Sequence, residues 1–462
     1  MNSVFIVALA AYLIVFLVIG ILDMRKTESF EDYAVAGRRQ GTFAVSMTLL
    51  ATVVGASTTI GIVDTVYSIG FPGIWWLLFG SIGLIAQSFV ISEKVRDTGA
   101  ATLPELAGMT VGKTAEFIIA LVIVISWIGV IAGQMVAMNG IIALAIGRSS
   151  LFIQIFISLF IIIYTMTGGQ TSVVKTDKIQ FVIIILGIAI CFIYLFFVKG
   201  GNTEDVVRGI EFLNKDYRPV NLFNQLFIIG GVYFLGPDIM SRNFLSKDSK
   251  TAKKSALIAG ICLAAFSLII TLIGMWIRSN VLPEELAGSK ALLYVIGIMP
   301  KVPAVILIFG LLSAIISSTD TCLINASVIL SKDILGKNSL VTSRIAVACI
   351  GIVAMVLAIM GSGDILNLLT GAYSIYTPGV IFPLFIAVLC YKKKNINVGI
   401  WVTAVVTGGL FGIAGTYFGG LMLKAGVPQG LMTYLPLIGM FVSLVLSMLS
   451  IRSSQKENIS QE

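Results

Sequence analysis

The chain has 462 residues, 57% of them hydrophobic and only 12% charged, with a mean hydropathy of +1.01. This composition excludes a soluble globular protein and describes one continuous polytopic membrane domain. The formal charge of +8 is not a nucleic-acid signal, because the basic residues sit in short loops between apolar runs. The absence of histidine removes the commonest proton shuttle, the commonest metal ligand and His-based catalysis.

With about 20 apolar residues per span, the hydropathy pattern predicts thirteen helices, at 3–23, 42–70, 72–92, 115–146, 150–167, 171–198, 221–241, 253–278, 301–331, 341–361, 364–391, 397–422 and 430–451. Arg25 and Lys26 follow the first run with no small-residue cleavage site, so that run is a retained helix. With the N-terminus outside, the inner loops and tail hold 22 of the 31 basic residues, which orients the chain N-terminus out and C-terminus cytoplasmic. Cys191, Cys262, Cys322, Cys349 and Cys390 are scattered singly in apolar segments and read as small buried residues.

The second predicted helix carries Ala51-Thr-Val-Val-Gly-Ala-Ser-Thr-Thr-Ile-Gly61. Either it unwinds there, offering carbonyls to a cation and a half-helix N-terminus to an anion, or it is an ordinary helix with a small-residue packing face. Phe71-Pro-Gly-Ile-Trp-Trp76 reads as a turn followed by interfacial aromatics. At Lys175-Thr-Asp-Lys178 the acid either pairs with a neighbouring lysine or points into the bundle. The loops 199–220 and 278–301 read as solvated surface, and Gly236-Pro-Asp-Ile-Met-Ser-Arg242 as a helix end with Arg242 at the interface. Thr370-Gly-Ala-Tyr-Ser-Ile-Tyr-Thr-Pro-Gly379 is a polar patch inside a span, a pattern that marks binding or gating regions in transporters.

The chemistry concentrates in Ser313-Ala-Ile-Ile-Ser-Ser-Thr-Asp-Thr321. At helical spacing Ser313, Ser317, Asp320 and Thr321 fall on one face with Ser318 alongside. Such a face is costly in lipid and demands a partner, a water-filled path or an ion; hydroxyls with a single carboxylate suit a small monovalent cation.

Four local patterns, at matching places over nearly the whole chain, resemble the solute:sodium symporter family, which includes bacterial proline, pantothenate, sugar and sialic acid transporters. They are Glu31-Asp-Tyr-Ala-Val-Ala-Gly-Arg38, Gly168-Gly-Gln-Thr-Ser-Val-Val-Lys-Thr-Asp177 with Gln180, Gly236-Pro-Asp-Ile-Met-Ser-Arg242, and Ser317-Ser-Thr-Asp-Thr321 with Ser327. The resemblance implies an all-α LeuT-type fold whose core is two inverted five-helix repeats, at 42–198 and 221–391. It leaves 1–41 as an extra helix and loop, 397–451 as two C-terminal helices and 452–462 as a disordered tail.

The resemblance also implies sodium ligands: the carbonyls of Ala51, Val54 and Ala314 and the hydroxyls of Ser317 and Ser318. A second sodium, held in some relatives, would use Asp177, Ser317, Asp320 and Thr321; here Asp320 stands where those relatives carry serine. Alternatively Asp320 pairs with a lysine and there is no second ion. Candidate substrate residues are Val53, Thr58, Trp75, Gln134, Tyr373 and Tyr376. No arginine stands at mid-span in the third core helix, which counts against a sialic acid pocket. The implied activity is sodium-coupled import of a small, partly apolar carboxylate such as proline, by alternating access in the plasma membrane. The partners are the solute, sodium and the lipid bilayer, with no nucleic acid; the sequence is silent on oligomeric state. The rivals are a proton-coupled carrier titrating at Asp177 or Asp320, a membrane sensor, against which the short tail argues, and an integral-membrane enzyme, which lacks a nucleophile–base pair or metal-ligand cluster.

Overall fold

In the computed structural model the first helix, α1 (Asn2–Met24), lies against a hairpin built from one long helical run, Leu151–Ile193. With its continuation to Lys199 that run has 49 residues, which would be about 73 Å if straight, more than twice the hydrocarbon thickness. It turns instead at Gly169, whose φ of 60° and ψ of −171° open to glycine far more readily than to other residues. The Tyr164 hydroxyl and Thr176 Oγ1 are 2.8 Å apart although twelve residues separate them, about 18 Å along a straight helix. We call the two arms α6 (151–168) and α7 (170–193). All residues are described except 1, 26, 148–149, 287, 362–364, 419–423, 425, 427 and 452–462; the predicted tail lies outside them.

Besides short connecting helices such as Phe30–Val35, Ser92–Asp97 and Leu103–Thr110, the bundle holds α2 (Thr42–Val53), α3 (Ser57–Ile69), α4 (Trp75–Val90) and α5 (Lys113–Ile146), then α8 (Pro219–Leu235), α9 (Pro237–Phe244) and α10 (Ser249–Asn280). They are followed by α11 (Lys301–Ile329), α12 (Leu340–Met360), α13 (Ile365–Cys390), α14 (Val398–Tyr417) and α15 (Gln429–Leu449). Among the described residues there is no strand beyond isolated bridges. Ten helices there are long and apolar enough to cross a membrane, and the bent pair α2–α3 makes eleven. Dividing the run at Gly169 and counting the shorter apolar helix Tyr434–Leu449 gives the thirteen crossings the hydropathy predicts.

The centre of the bundle is α11, buried on every face from Gly310 to Ile329. It packs on the α6–α7 hairpin and α5, and meets α7 where Gly187 and Gly310 face each other. A Cβ on either glycine would lie 3.2 Å from the other's Cα, the small-residue contact that draws membrane helices together.

The structure decides one open alternative and departs from the sequence reading at two places. Of the two readings of 42–70 the interrupted one forms, as two helices bent by 62°. The segment at Gly236 is a second interruption: Gly236 is extended (φ −75°, ψ 147°), Pro237 supplies no N–H, and α9 restarts the helix. Arg242, assigned to the interface, is fully buried, because α9 carries it inward. The loops 199–220 and 278–301 are also more than solvated surface. They hold short helices and cap one end of the bundle, with Arg278 Nη1 donating to the carbonyls of Tyr67 and Ser68 at 2.5 and 2.8 Å.

Candidate ion and solute site

The first interruption explains itself residue by residue. Val54 leaves helical geometry at φ −91°, ψ 84°, and Gly55 follows. A Cβ on Gly55 would stand 2.6 Å from Ser318 Oγ and 2.9 Å from Gln134 Nε2, so only glycine lets α11 and α5 approach this closely. The backbone groups freed by the break find local partners, as a buried break requires. Gly55 N–H donates to Thr58 Oγ1 at 2.8 Å, whose hydroxyl turns to the Val53 carbonyl at 3.0 Å. Thr59 Oγ1 donates to the Gly55 carbonyl at 2.7 Å, and Ala56 N–H donates to Gln134 Oε1 at 3.0 Å.

Facing the break, the hydroxyl stripe of α11 meets the end of α2. Ser317 Oγ donates to the Ala51 carbonyl at 2.7 Å and lies 3.1 Å from the Ala314 carbonyl. Ser318 Oγ donates to the Thr52 carbonyl at 2.8 Å. Val54 sits at the break itself, its N–H on the Leu50 carbonyl at 3.0 Å. Ala51, Ala314 and Ser317 are thus brought together, with Ser318 and Val54 beside them. These are uncharged hard oxygens from two helices in the buried interior, a donor set suited to a small cation.

Within a turn of this cluster lies a buried charge group. Asp177 Oδ2 accepts from Thr48 Oγ1 and, at 3.3 Å, from Arg242 Nη2. The same guanidinium donates to Thr321 Oγ1 at 2.5 Å, Thr52 Oγ1 at 2.7 Å, Gln170 Oε1 at 2.9 Å and Ser241 Oγ at 3.2 Å. Asp177 therefore points into the bundle, and Lys175 pairs with Asp23 instead, at 2.5 Å. Asp320 is fully buried beside Asp177, Arg242 and Tyr164 and joins no ion pair among the described residues. The expected alternative of an Asp320–lysine pair is not what forms; the basic residue at this cluster is Arg242, which adds hydrogen bonds to Thr52 and Thr321 that a lysine could not all make at once.

The solute candidates divide. Val53, Gln134 and Tyr373 line one cavity with Thr52, Gly55, Ser57, Tyr233, Asp238, Ser318 and Cys322. It offers about 20 Å³ to the centre of a water-sized sphere, room for one or two waters in this conformation. Thr58 serves the backbone break. Trp75 stacks on Phe79 and donates to the Phe212 carbonyl at 2.8 Å, at the capped end of the bundle. Tyr376 is buried against Trp127 and donates to the Leu235 carbonyl at 2.6 Å, closing the hydrogen-bond account of the second interruption. The sequence reading missed Asp238 and Arg242. The signal for both was Gly-Pro-Asp inside an apolar run, since proline followed by an acid opens a helix more readily than it closes one.

Two interrupted helices bracketing a central helix, with an ion-type oxygen cluster beside a small polar cavity, define a LeuT-type secondary transporter. A model described as the sodium:solute symporter family matches residues 33–402. The chain belongs to that family, and it is a multi-pass membrane protein that couples solute movement to sodium. It is similar to the sodium/pantothenate symporter of Haemophilus influenzae, 26% identical over 331 residues, 67% of each chain. It is similar also to the sodium/proline symporter of Staphylococcus aureus, 24% identical over 417 residues, 82% of this chain and 80% of the relative. Among solved structures, a substrate-bound outward-open Na+-coupled sialic acid symporter aligns over 98% of this chain and 99% of its own, with a TM-score of 0.80 at 19% identity. These are transporters, not enzymes.

Proposed function

We propose that this protein imports a small zwitterionic solute, of the size and charge of proline, with one sodium ion held by the carbonyls of Ala51, Val54 and Ala314 and the hydroxyls of Ser317 and Ser318. The observation that carries the reading is Ser317 Oγ on α11 reaching the Ala51 carbonyl of α2 while it also lies 3.1 Å from the Ala314 carbonyl of its own helix. Sodium there ties α2 to α11. The tie favours one arrangement of the two helices and so raises solute affinity, and linkage requires that solute raise sodium affinity equally. The membrane potential adds about 2.3 kcal/mol per charge per 100 mV to the driving force. The N-terminus lies outside and the C-terminus in the cytoplasm, on the charge asymmetry of the loops. The repeats run over 42–198 and 221–391, a division supported by an interrupted helix opening each one.

For the solute, the support is chemical. The half-helix α3 presents its N-terminal end to the cavity, where Ala56 N–H is held by Gln134; a carboxylate could replace that amide oxygen. A second sodium on Asp177, Ser317, Asp320 and Thr321 is disfavoured because Arg242 already engages Asp177 and Thr321. The buried Asp320 carboxylate, in no ion pair among the described residues, favours proton coupling as the second reading. Proteoliposome uptake of L-proline separates the readings. An inward sodium gradient should drive it with a hyperbolic sodium dependence. Uptake that ignores sodium and follows a pH gradient would overturn sodium symport in favour of the proton-coupled carrier.

A further inference from the structure

Asp238 is a half-buried acid that neither the ion site nor the hydrogen bonds of Arg242 use. It is the second residue of α9, placed at the cavity by the Gly236–Pro237 interruption. Its Oδ1 is buried and makes no hydrogen bond, and Asp238 joins no ion pair among the described residues. Arg242, one turn further along, acts on it through charge alone, its hydrogen bonds going to Gln170, Ser241, Thr52, Asp177 and Thr321. The N–H groups of Asp238 and Ile239 face the carboxylate, and the start of α9 favours negative charge, so the group is held in place as an acceptor.

The cavity walls add to this. No lysine or arginine lines it, while Tyr233 and Tyr373 do. A carboxylate flanked by aromatic rings is the chemistry that recognises an ammonium group. A purely structural role, with Asp238 as a helix-opening residue, accounts for the N–H groups but not for a carboxylate at a cavity wall with one oxygen left without a hydrogen bond. A half-buried anion that Arg242 compensates only at a distance keeps part of its desolvation cost, and a cationic solute would remove that cost on binding.

We propose that Asp238 is the counter-charge for a cationic nitrogen on the transported solute, so that the substrate class is ammonium compounds, with or without a carboxylate. The proposal rests on the transport reading above, and its test keeps the two separable. Purified protein would be heated in 100-fold excess of each probe, in sodium and in potassium at equal ionic strength. The probes are cations matched with carbon isosteres: L-proline with cyclopentanecarboxylate, glycine betaine with 3,3-dimethylbutyrate, choline with 3,3-dimethylbutanol. D-glucose and pantothenate complete the set. At least one cationic member should stabilise the wild type in sodium while its isostere does not. Asp238→Asn should weaken that member's affinity by about 30-fold or more yet keep the sodium-specific shift, which shows that the variant is folded. The inference is overturned by an isostere, glucose or pantothenate stabilising as well as any cation. It is overturned equally by cation stabilisation that survives Asp238→Asn, or by no cation acting while the sodium shift is intact. Loss of the sodium shift in the wild type would refute the symport reading instead.

Discussion

Ser317→Ala tests the ion site most directly. The substitution removes one hydroxyl and leaves the Ala51 carbonyl without its 2.7 Å donor. In potassium, where no ion is bound, the loss is that of one buried hydrogen bond, about 1 kcal/mol. In sodium the loss is larger, because contacts to charged groups contribute about 1.5–3 kcal/mol, or roughly 10- to 150-fold in affinity. At a sodium concentration 100 times the wild-type dissociation constant, the ion stabilises the wild type by about 2.7 kcal/mol. A variant binding tenfold more weakly retains about 1.4 kcal/mol of that, and one binding 100-fold more weakly about 0.4 kcal/mol. Thermal unfolding of purified protein, titrated with sodium against potassium at constant ionic strength, reads both numbers. Ser313→Ala is the control, since it stands one turn earlier on the same face but pairs with the Tyr12 hydroxyl at 2.8 Å; it should cost stability without moving the titration. An unchanged sodium titration in Ser317→Ala, or an equal shift in Ser313→Ala, would refute the reasoning.

Arg242→Gln leaves the Asp177 carboxylate buried without its cation and should cost about 3–5 kcal/mol. With Asp177→Asn added, the double variant should lose about 1–3 kcal/mol less than the two single losses together, and strict additivity in thermal unfolding would rule out the pair. Gly169→Ala forces a side chain into a conformation that favours glycine and puts its Cβ 2.6 Å from the Tyr33 ring; folded yield by size-exclusion should collapse, while Gly41→Ala, with open space around it, should not change it. Arg38 donates to the carbonyls of Ala100, Phe244 and Gly99 at 3.1, 3.3 and 2.7 Å, clasping the loops at its end of the bundle. Arg38→Ala should release about 1–2 kcal/mol of that clasp, a roughly 5- to 30-fold population shift, read as faster labelling of a cysteine placed at Val328, which lines the cavity beneath. Unchanged labelling would mean that the clasp does not hold this end shut.

What could be read from the sequence was what a single segment encodes. The α11 hydroxyl stripe needs only helical spacing, and the weak helix preference at Gly55 lies in the residues that break there, so both sides of the proposed ion site were legible. Arg242 was not, because a basic residue at the end of an apolar run reads equally well as an interfacial anchor. Its real partners, Asp177 and Thr321, lie 65 and 79 residues away, and only packing brings them to it. Hydroxyl roles are hard to read from sequence for a related reason. Thr58 and Tyr376 have the chemistry of solute ligands, yet each is claimed by a backbone group that an interruption set free. Sequence shows that a hydroxyl is available; which acceptor claims it depends on where the helices break.

The two interruptions impose a division of labour on α11. Its residues Ser317 and Ser318 serve the end of α2, Thr321 receives Arg242 from α9, and Cys322 lines the solute cavity, all within two turns of one buried helix. Ser318 belongs to both the ion cluster and the cavity wall, and Thr52, whose carbonyl it holds, also accepts from Arg242. An ion that draws α2 onto α11 therefore acts on the same short stretch that positions α9, and α9 carries Asp238. Coupling between sodium and solute then needs no long relay. It needs only that these helices have two packed arrangements and that both ligands favour the same one. The buried network fits that demand. Arg242 bonds to side chains from α2, α7 and α11 at once, so any motion of α9 that breaks one contact strands buried polar groups on the others. Such a joint favours discrete rearrangement over gradual drift, which is the property alternating access requires.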